Sequence, residues 1–416
     1  MRDRLAAADA QSETHRAIES VARGSYGRLV AYLAARTRDV AGAEDALADA
    51  LVAALTAWPR DGLPRSPEAW LLTTARNKLV DRARHERMRT RVGATLELLA
   101  NATDEMASDD ALPDERLELL FVCAHPAIDA ALHTPLMLQA VLGLDAAAIA
   151  RAFLVQPATM GQRLVRAKAK IREAAIAHEI PDARELPERL DAVLHAIYAA
   201  YGRGWEDADG ADARARGLVD EAIWLARVLK ERMPDVAEVR GLLALMLYCE
   251  ARRPARRDAA GRFVPLLEQD PAQWRAELIA DAERELAAAS ALGRPGRFQL
   301  EAAIQSAHVE GIRAGNTDWR AIALLYEGLV RLAPTVGARV GHAAAVAEVH
   351  GAGAALTLLD ALATQAEAYQ PYWAARAHVL RAAGREAEAH AAFDRAIALS
   401  DDRAVCAFLA AKRDLR

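Results

Sequence analysis

The stretch that most restricts the fold is residues 145–172, DAAAIARAFLVQPATMGQRLVRAKAKIR. In its second half Met160, Leu164, Ala167 and Ile171 recur at steps of four, three and four, which is one apolar stripe of a helix. Pro157 opens that helix where a missing backbone N–H costs nothing. Asp145 can cap a shorter helix before it, with Ile149 and Ala150 facing inward and Phe153 to Gln156 as the turn. The stretch therefore reads as a helix-turn-helix. The face opposite the stripe carries Thr159, Gln162, Arg163, Arg166 and Lys170, and every charge between Asp145 and Glu173 is basic. Hydrogen-bonding side chains near the N-terminus of a basic second helix suit a DNA major groove. A basic helical hairpin in an ordinary bundle has the same pattern, and this stretch alone does not separate the two.

The remainder of the 416 residues is consistent with helix throughout: 53% of them are hydrophobic, and Ala, Leu and Arg dominate over β-branched runs. The expected fold class is all-α. A net charge of −5 places any nucleic-acid binding in local patches. Cys123, Cys249 and Cys406 are far apart and form no C-x-x-C pair, so neither a disulfide framework nor a metal site is expected, and a reducing cytoplasm fits. The first residues have no apolar signal-type core, and no run of eighteen apolar residues occurs, so no membrane span is expected.

Upstream, residues 14–36 read as a helix interrupted near Gly24 and Gly27. Residues 42–58 read as a second helix, with Ala46, Leu47, Ala50, Leu51, Ala54 and Leu55 as its apolar face. Glu44, Asp45 and Asp49 form an acidic shoulder near its start, where the helix dipole favours them. Three prolines and a glycine mark 59–67 as a loop. A long basic helix follows over 68–89, with Arg76, Lys78, Arg82 and Arg84 against Asp81 and Glu86. Such a helix can track a phosphate backbone, and the loop before it can accept an unstacked base; a solvated amphipathic helix carries similar charge. Residues 93–112 turn acidic and read as a linker. Twenty residues span at most roughly 65–70 Å, about twenty base pairs at ~3.4 Å each. Residues 113–176 then form a four-helix module that ends in the helix-turn-helix.

Three runs carry a specific resemblance: AEDALADALVAAL, SPEAWLLTTARNKLVDRARHERMR and IARAFLVQPATMGQRLVRAKAKIR, in this order and separated by a linker. Residues 10–176 resemble the extracytoplasmic-function (group IV) sigma factors of bacterial RNA polymerase, which keep only regions 2 and 4. FVCAHPAI and the long helical tail are similar to the sigma-24-type subfamily with a TPR-like C-terminal extension and a DUF6596 domain. The resemblance implies region 2 over 10–92, the linker over 93–112, region 4 over 113–176 and a helical TPR-like array over 187–416. It implies that residues 42–56 dock on the β′ clamp of core RNA polymerase through Asp45, Asp49 and Leu51, although Ala48 stands where the family often has Gln. It also implies contact of region 4 with the β flap, and promoter DNA as the second partner. Residues 60–67 would receive a flipped −10 base; Arg76, Asn77 and Arg84 would serve the −10 element, and the helix from Pro157 the −35 element. No cofactor and no catalytic chemistry are implied.

In the tail, Leu242 to Leu247 are apolar on all sides of a helix and should be deeply buried. Residues 251–270 read as a long charged loop. Tyr326, Leu359 and Phe393 are separated by 33 and 34 residues, and Leu329, Leu362 and Ala396 keep that register. A period near 34 in helix pairs is the TPR signature, and stacked pairs leave a groove suited to a protein partner. Two other readings stay open from the residues alone: a stand-alone helix-turn-helix regulator with a TPR-like sensor domain, and a TPR scaffold without a DNA role. The regulator has no need of a polymerase-docking segment at 42–56.

Overall fold

The structure, a computed structural model, describes residues 16–21, 24–87, 114–153, 155–182, 184–206 and 217–415. Among them there is no β-strand, only an isolated bridge between Arg257 and Phe263, and the fold is all-α. No helix among the described residues is long and apolar enough to cross a membrane. The chain divides into two units, residues 1–228 and 229–416.

In the first unit, α1 (Tyr26–Thr37), α2 (Val40–Asp61) and α3 (Pro67–Arg87) pack together. Asp39 caps α2 by accepting from the Gly42 N–H. The buried stripe of α2 is Val40, Ala43, Ala46, Leu47, Ala50, Ala54 and Trp58. Leu51 is only half-buried and Leu55 is exposed, so the apolar face is rotated from the one expected. The helix also runs through Pro59 instead of stopping before it. Trp58, nearly sealed and edge-on to Trp70 of α3 at 5.5 Å, anchors the last turn, and the Gly62 N–H closes it on the Trp58 carbonyl. A turn at Ser25 interrupts the helix between Gly24 and Gly27, where an interruption was expected, and α1 begins at Tyr26. Gly27 lies in its first turn, where a Cβ would overlap the Val141 carbonyl, so a hydrogen at this position lets α1 approach the second half of the unit. The expected linker 93–112 lies outside the described residues.

That second half contains α4 (Arg116–Cys123), α5 (Ala130–Ala140), α6 (Ala146–Ala152) and α7 (Pro157–Glu173), around Leu117, Leu120, Phe121, Leu136 and Leu138. A fifth helix, α8 (Leu186–Glu206), packs on α5 and α4. Arg189 of α8 is almost wholly buried and donates to the Phe121 carbonyl. Arg116 of α4 is held by Asp114 and by Glu221 of α9 (Leu218–Arg232), with its guanidinium over the Trp224 ring at 4.0 Å. By their packing, residues 187–228 group with the first unit.

The second unit is built on α10 (Ala237–Ala251), buried all round as its sequence predicts and flanked by α11 (Ala276–Ala291) and α12 (Arg297–Ala314). Glu238 of α10 caps α12 by accepting from the Phe298 and Gln299 N–H groups at 2.9 and 3.0 Å. After α12 come α13 (Trp319–Leu332), α14 (Val336–His350), α15 (Ala352–Asp360), α16 (Gln370–Ala382), α17 (Glu386–Ala398) and α18 (Arg403–Asp414), each packed on the next. The residues spaced by 33 and 34 sit in the cores: Leu329 in one cluster with Tyr326 against it, Leu359, Leu362, Phe393 and Ala396 in the next. The segment 251–270 is folded rather than loose. Two 3-10 turns and the Arg257–Phe263 bridge shape it. Arg257 then pairs with Asp402 at 2.6 Å, and Phe263 meets Phe408 edge-on at 5.3 Å, which straps it to α18.

Candidate nucleic-acid interface

The helices α6 and α7 and the turn between them form from local rules. Asp145 accepts from the Ala148 N–H at 2.7 Å and starts α6; the Phe153 N–H bonded to the Ile149 carbonyl and the Val155 N–H to the Ala150 carbonyl turn the chain. Pro157 opens α7, and Met160, Leu164, Ala167 and Ile171 are each at most 4% exposed. The stripe being inside, the helical period turns Thr159, Gln162, Arg163, Arg166 and Lys170 outward, and all five are exposed.

Arg163, Arg166 and Lys170 have no ion-pair partner among the described residues. Together with Ile128 and Asp129 of the turn before α5 and Leu132 of its first turn they line a groove of about 520 Å³. Three cations free of ion pairs among the described residues, beside a groove that holds one acid, Asp129, can take an anionic backbone, while Thr159 and Gln162 carry hydrogen-bonding groups for base edges.

Lys168, one residue past Ala167 on the same helix, is different. Its side chain is 10% exposed and pairs with Glu44 of α2, whose side chain is 12% exposed, while Arg172 reaches Asp39 at 3.5 Å. Burial pushes the Glu44 carboxyl upward from its ordinary range, and the Lys168 ammonium opposes that shift. Glu44 is therefore a buried interface residue and not part of a solvated shoulder. Burial, with Glu44 and Asp45 nearby, likewise raises the Tyr26 phenol.

On α3, Asn77 is exposed and Arg76 half-buried, its Nε without a hydrogen-bond partner among the described residues. Arg84 is exposed and 3.7 Å from Asp81. The Ser25 hydroxyl and the Arg28 guanidinium both bond to Glu68, which fixes the start of α3 after the 62–66 turn. Asp45 and Asp49 lie one turn apart on the exposed side of α2, and Arg82 of α3 bridges them at 3.2 and 3.6 Å. Val52 and Leu55 stand exposed on the same helix. The structure thus brings Asp45 and Asp49 together beside an apolar strip, with Leu51 at its buried margin. Arg82 and Lys168 had no special place in the sequence reading. Both are basic residues on helices rich in them, and only the packing of α3 and α7 on α2 distinguishes them.

Among the comparisons with known proteins, residues 22–89 match Sigma-70 region 2. Residues 189–290 match a family of unknown function, DUF6596. An uncharacterized protein of Rhizobium meliloti (strain 1021) is 38% identical over 404 residues, covering 96% of this chain and 94% of the relative. No solved structure matches the chain. A Sigma-70 region 2 formed by α1 to α3, joined in one polypeptide to a DUF6596 segment and shared in that length with a bacterial relative, identifies the chain as a member of the sigma-70 family.

Proposed function

We propose that this protein is a promoter-specificity subunit of RNA polymerase, of the group IV type with regions 2 and 4 only. In this reading α2 docks on core polymerase through Asp45, Asp49 and the adjacent apolar strip; α3, with Arg76, Asn77 and Arg84, engages the −10 element. The helix α7 reads the −35 element through Thr159, Gln162 and Arg163, and holds phosphates with Arg166 and Lys170. No bond is made or broken by the protein itself. Its work is to position polymerase and to stabilise an opened strand by phosphate and base contacts. The second unit is a TPR-like array whose groove takes a protein partner.

The observation that carries the reading is the outward face of α7. Arg163, Arg166 and Lys170 make no ion pair among the described residues and stand beside hydrogen-bonding side chains, in a chain that also matches Sigma-70 region 2. The test uses the full-length protein, because truncation after residue 180 strips α8 from α4 and α5 and confounds loss of function with loss of fold. Changing Asp45→Lys and Asp49→Lys together should abolish co-purification with core polymerase. Stability should stay within about 1 kcal/mol, since both acids are exposed. Normal retention of a folded double variant on core polymerase refutes the docking role.

A further inference from the structure

The connection between α10 and α11 is far longer than its task requires. The two helices pack on each other, and neighbours in helical folds are usually joined by about 2–8 residues. Here residues 252–275 make the join. Long connections on a packed scaffold are where binding residues concentrate.

The ends of this connection are buried in the fold, and its middle is self-contained. Arg252 is buried and donates to Gln305 of α12. At the other end Gln269 and Trp274 are buried, and the Arg275 N–H donates to the Ala251 carbonyl. Between them residues 256–264 form a small hairpin. The Val264 N–H donates to the Arg256 carbonyl and the Asp258 N–H to the Arg262 carbonyl. The Arg262 guanidinium pairs with Asp258 at 2.7 Å, and Gly261 turns the tip with a φ of 75°. Ala259 to Arg262 are exposed. Because these bonds are internal, the hairpin keeps them wherever it lies.

It lies on α18. Arg257 and Phe263 stand side by side on the hairpin, the guanidinium 5.9 Å from the ring. Asp402 divides its carboxylate between two tasks. Its Oδ1 accepts from the Ala404 and Val405 N–H groups and starts α18, while its Oδ2 takes Arg257 at 2.6 Å. Phe408 meets Phe263 edge-on at 5.3 Å. Lys412, one turn further on, lies over the Phe408 ring at 5.3 Å and pairs with Glu268 at 3.3 Å. An acid, a ring and a cation along α18 thus meet a cation, a ring and an acid in the same order. Phe263 and Phe408 both keep part of their surface in water. Such a contact is specific through its charges yet shallow, and another chain that offers the same groups can replace it.

We propose that the part of α18 marked by Asp402, Phe408 and Lys412 is a docking site for a protein partner that presents an arginine beside an aromatic ring, and that the hairpin 256–264 fills this site in the free chain as a displaceable stand-in. This docking role rests on the reading of the second unit as a partner-binding array and needs neither polymerase nor DNA. The tethered hairpin competes at a high effective concentration, so an outside partner reaches its full affinity only when the hairpin is lifted.

The probe is a head-to-tail ring of residues 255–265 with a fluorophore at Ala260, which holds Arg257 and Phe263 side by side. It is titrated by anisotropy against the full-length protein. Arg257→Ala with Phe263→Ala opens the host, which should bind the ring at least about tenfold more tightly than the wild type, whose site is filled. Adding Asp402→Asn to the opened host should weaken binding about tenfold. Asn still caps α18, and a thermal melt of each host checks the fold. Should the double variant melt low, Phe263→Ala alone serves as the opened host. A ring carrying Arg257→Gln should lose affinity to the same extent, a loss that no defect of the host can cause. Equal binding by wild type and opened host means that the hairpin does not fill the site, and overturns the proposal. Binding that ignores both Asp402→Asn and the changed ring overturns the α18 site and leaves the array a binder of peptides elsewhere. Binding by no host overturns the site and withdraws its support from the array reading.

Discussion

Three arginines of the second unit and three cations of α7 are chemically alike and are used in opposite ways. In the second unit Arg240 lies 2.6 Å from Glu285, Arg257 2.6 Å from Asp402 and Arg376 2.6 Å from Asp360. Each of these positive charges is answered from within the fold. On α7, Arg163, Arg166 and Lys170 are exposed and make no ion pair among the described residues, whereas Lys168 on the same helix is paired and buried. Charge content alone says nothing about recognition. A cation left without an internal partner is available to an external anion, and a cation already paired must first be released.

The sharpest way to break this contrast is to remove the free cations together. The triple change Arg163→Ala, Arg166→Ala, Lys170→Ala should lower the slope of log binding constant against log salt by about 0.9 for each lost phosphate contact. Binding to duplex DNA at moderate salt should fall by about two orders of magnitude or more. The melting temperature should barely move, because exposed charges contribute little to stability. Anisotropy titrations at several salt concentrations, set beside a thermal melt, decide it. An unchanged salt slope removes α7 as a phosphate-binding element.

The next effect compares the units through pH. Each contains a histidine whose pKa is pushed down to about 4: His178 by burial with Arg36 nearby, despite a backbone hydrogen bond that opposes the shift, and His308 by burial with Arg252 nearby. The unfolded chain takes up these protons near pH 6.5 and the folded chain only near 4, so between those values the unfolded state binds more protons. Stability should therefore be highest above pH 6.5 and fall on acidification towards 4, by up to about 3 kcal/mol for each histidine. Denaturant melts between pH 7 and 4 measure it, and His308→Gln should flatten the response of the second unit while leaving that of the first. A flat profile in the wild type means that water reaches both rings.

A smaller effect tests the close approach of α10 to α12. A Cβ added at Gly241 would stand 2.6 Å from the Gln299 backbone nitrogen. Gly241→Ala should cost about 1–3 kcal/mol through displaced backbone and leave DNA affinity untouched, the reverse of the α7 triple variant. The smallest is Arg331→Ala. Its pair with Glu327 is one turn apart on α13 and both side chains are more than half exposed, at 68% and 52%. The loss should stay below about 0.5 kcal/mol in a chemical melt. A larger loss would show that exposed pairs in the second unit carry more of its stability than their geometry implies.

What the sequence made legible follows the reach of periodicity. The stripe of α7, its cap at Asp145 and its proline start are local, and the face they turn outward is the face that was expected. The register of Leu329, Leu362 and Ala396 was legible for the same reason. Period, however, gives direction only about a helix's own axis and does not say which helix lies opposite. The Glu44–Lys168 pair joins residues 124 apart and the Arg257–Asp402 pair residues 145 apart, so neither could be read in advance. Leu55 was placed inside because it continues an apolar run; α2 buries a narrower, alanine-rich stripe against close neighbours and leaves Leu55 at its rim. The interruption near Gly24 and Gly27 was legible, but not the close approach of Gly27 to Val141, because a glycine that admits a neighbouring backbone and one that breaks a helix are identical in one dimension.

The burial of Arg189 and the packing of α8 on α4 and α5 bear on how the protein is made. The apolar surface of α5 leaves the ribosome long before its cover does. At about 5–20 residues per second, the roughly 65 residues that separate the end of α5 from the end of α8 take about 3–13 s to synthesise. During that time the half of the first unit built from α4 to α7 is a nascent chain with an open flank, exposed to chaperones and to neighbouring chains on the same message.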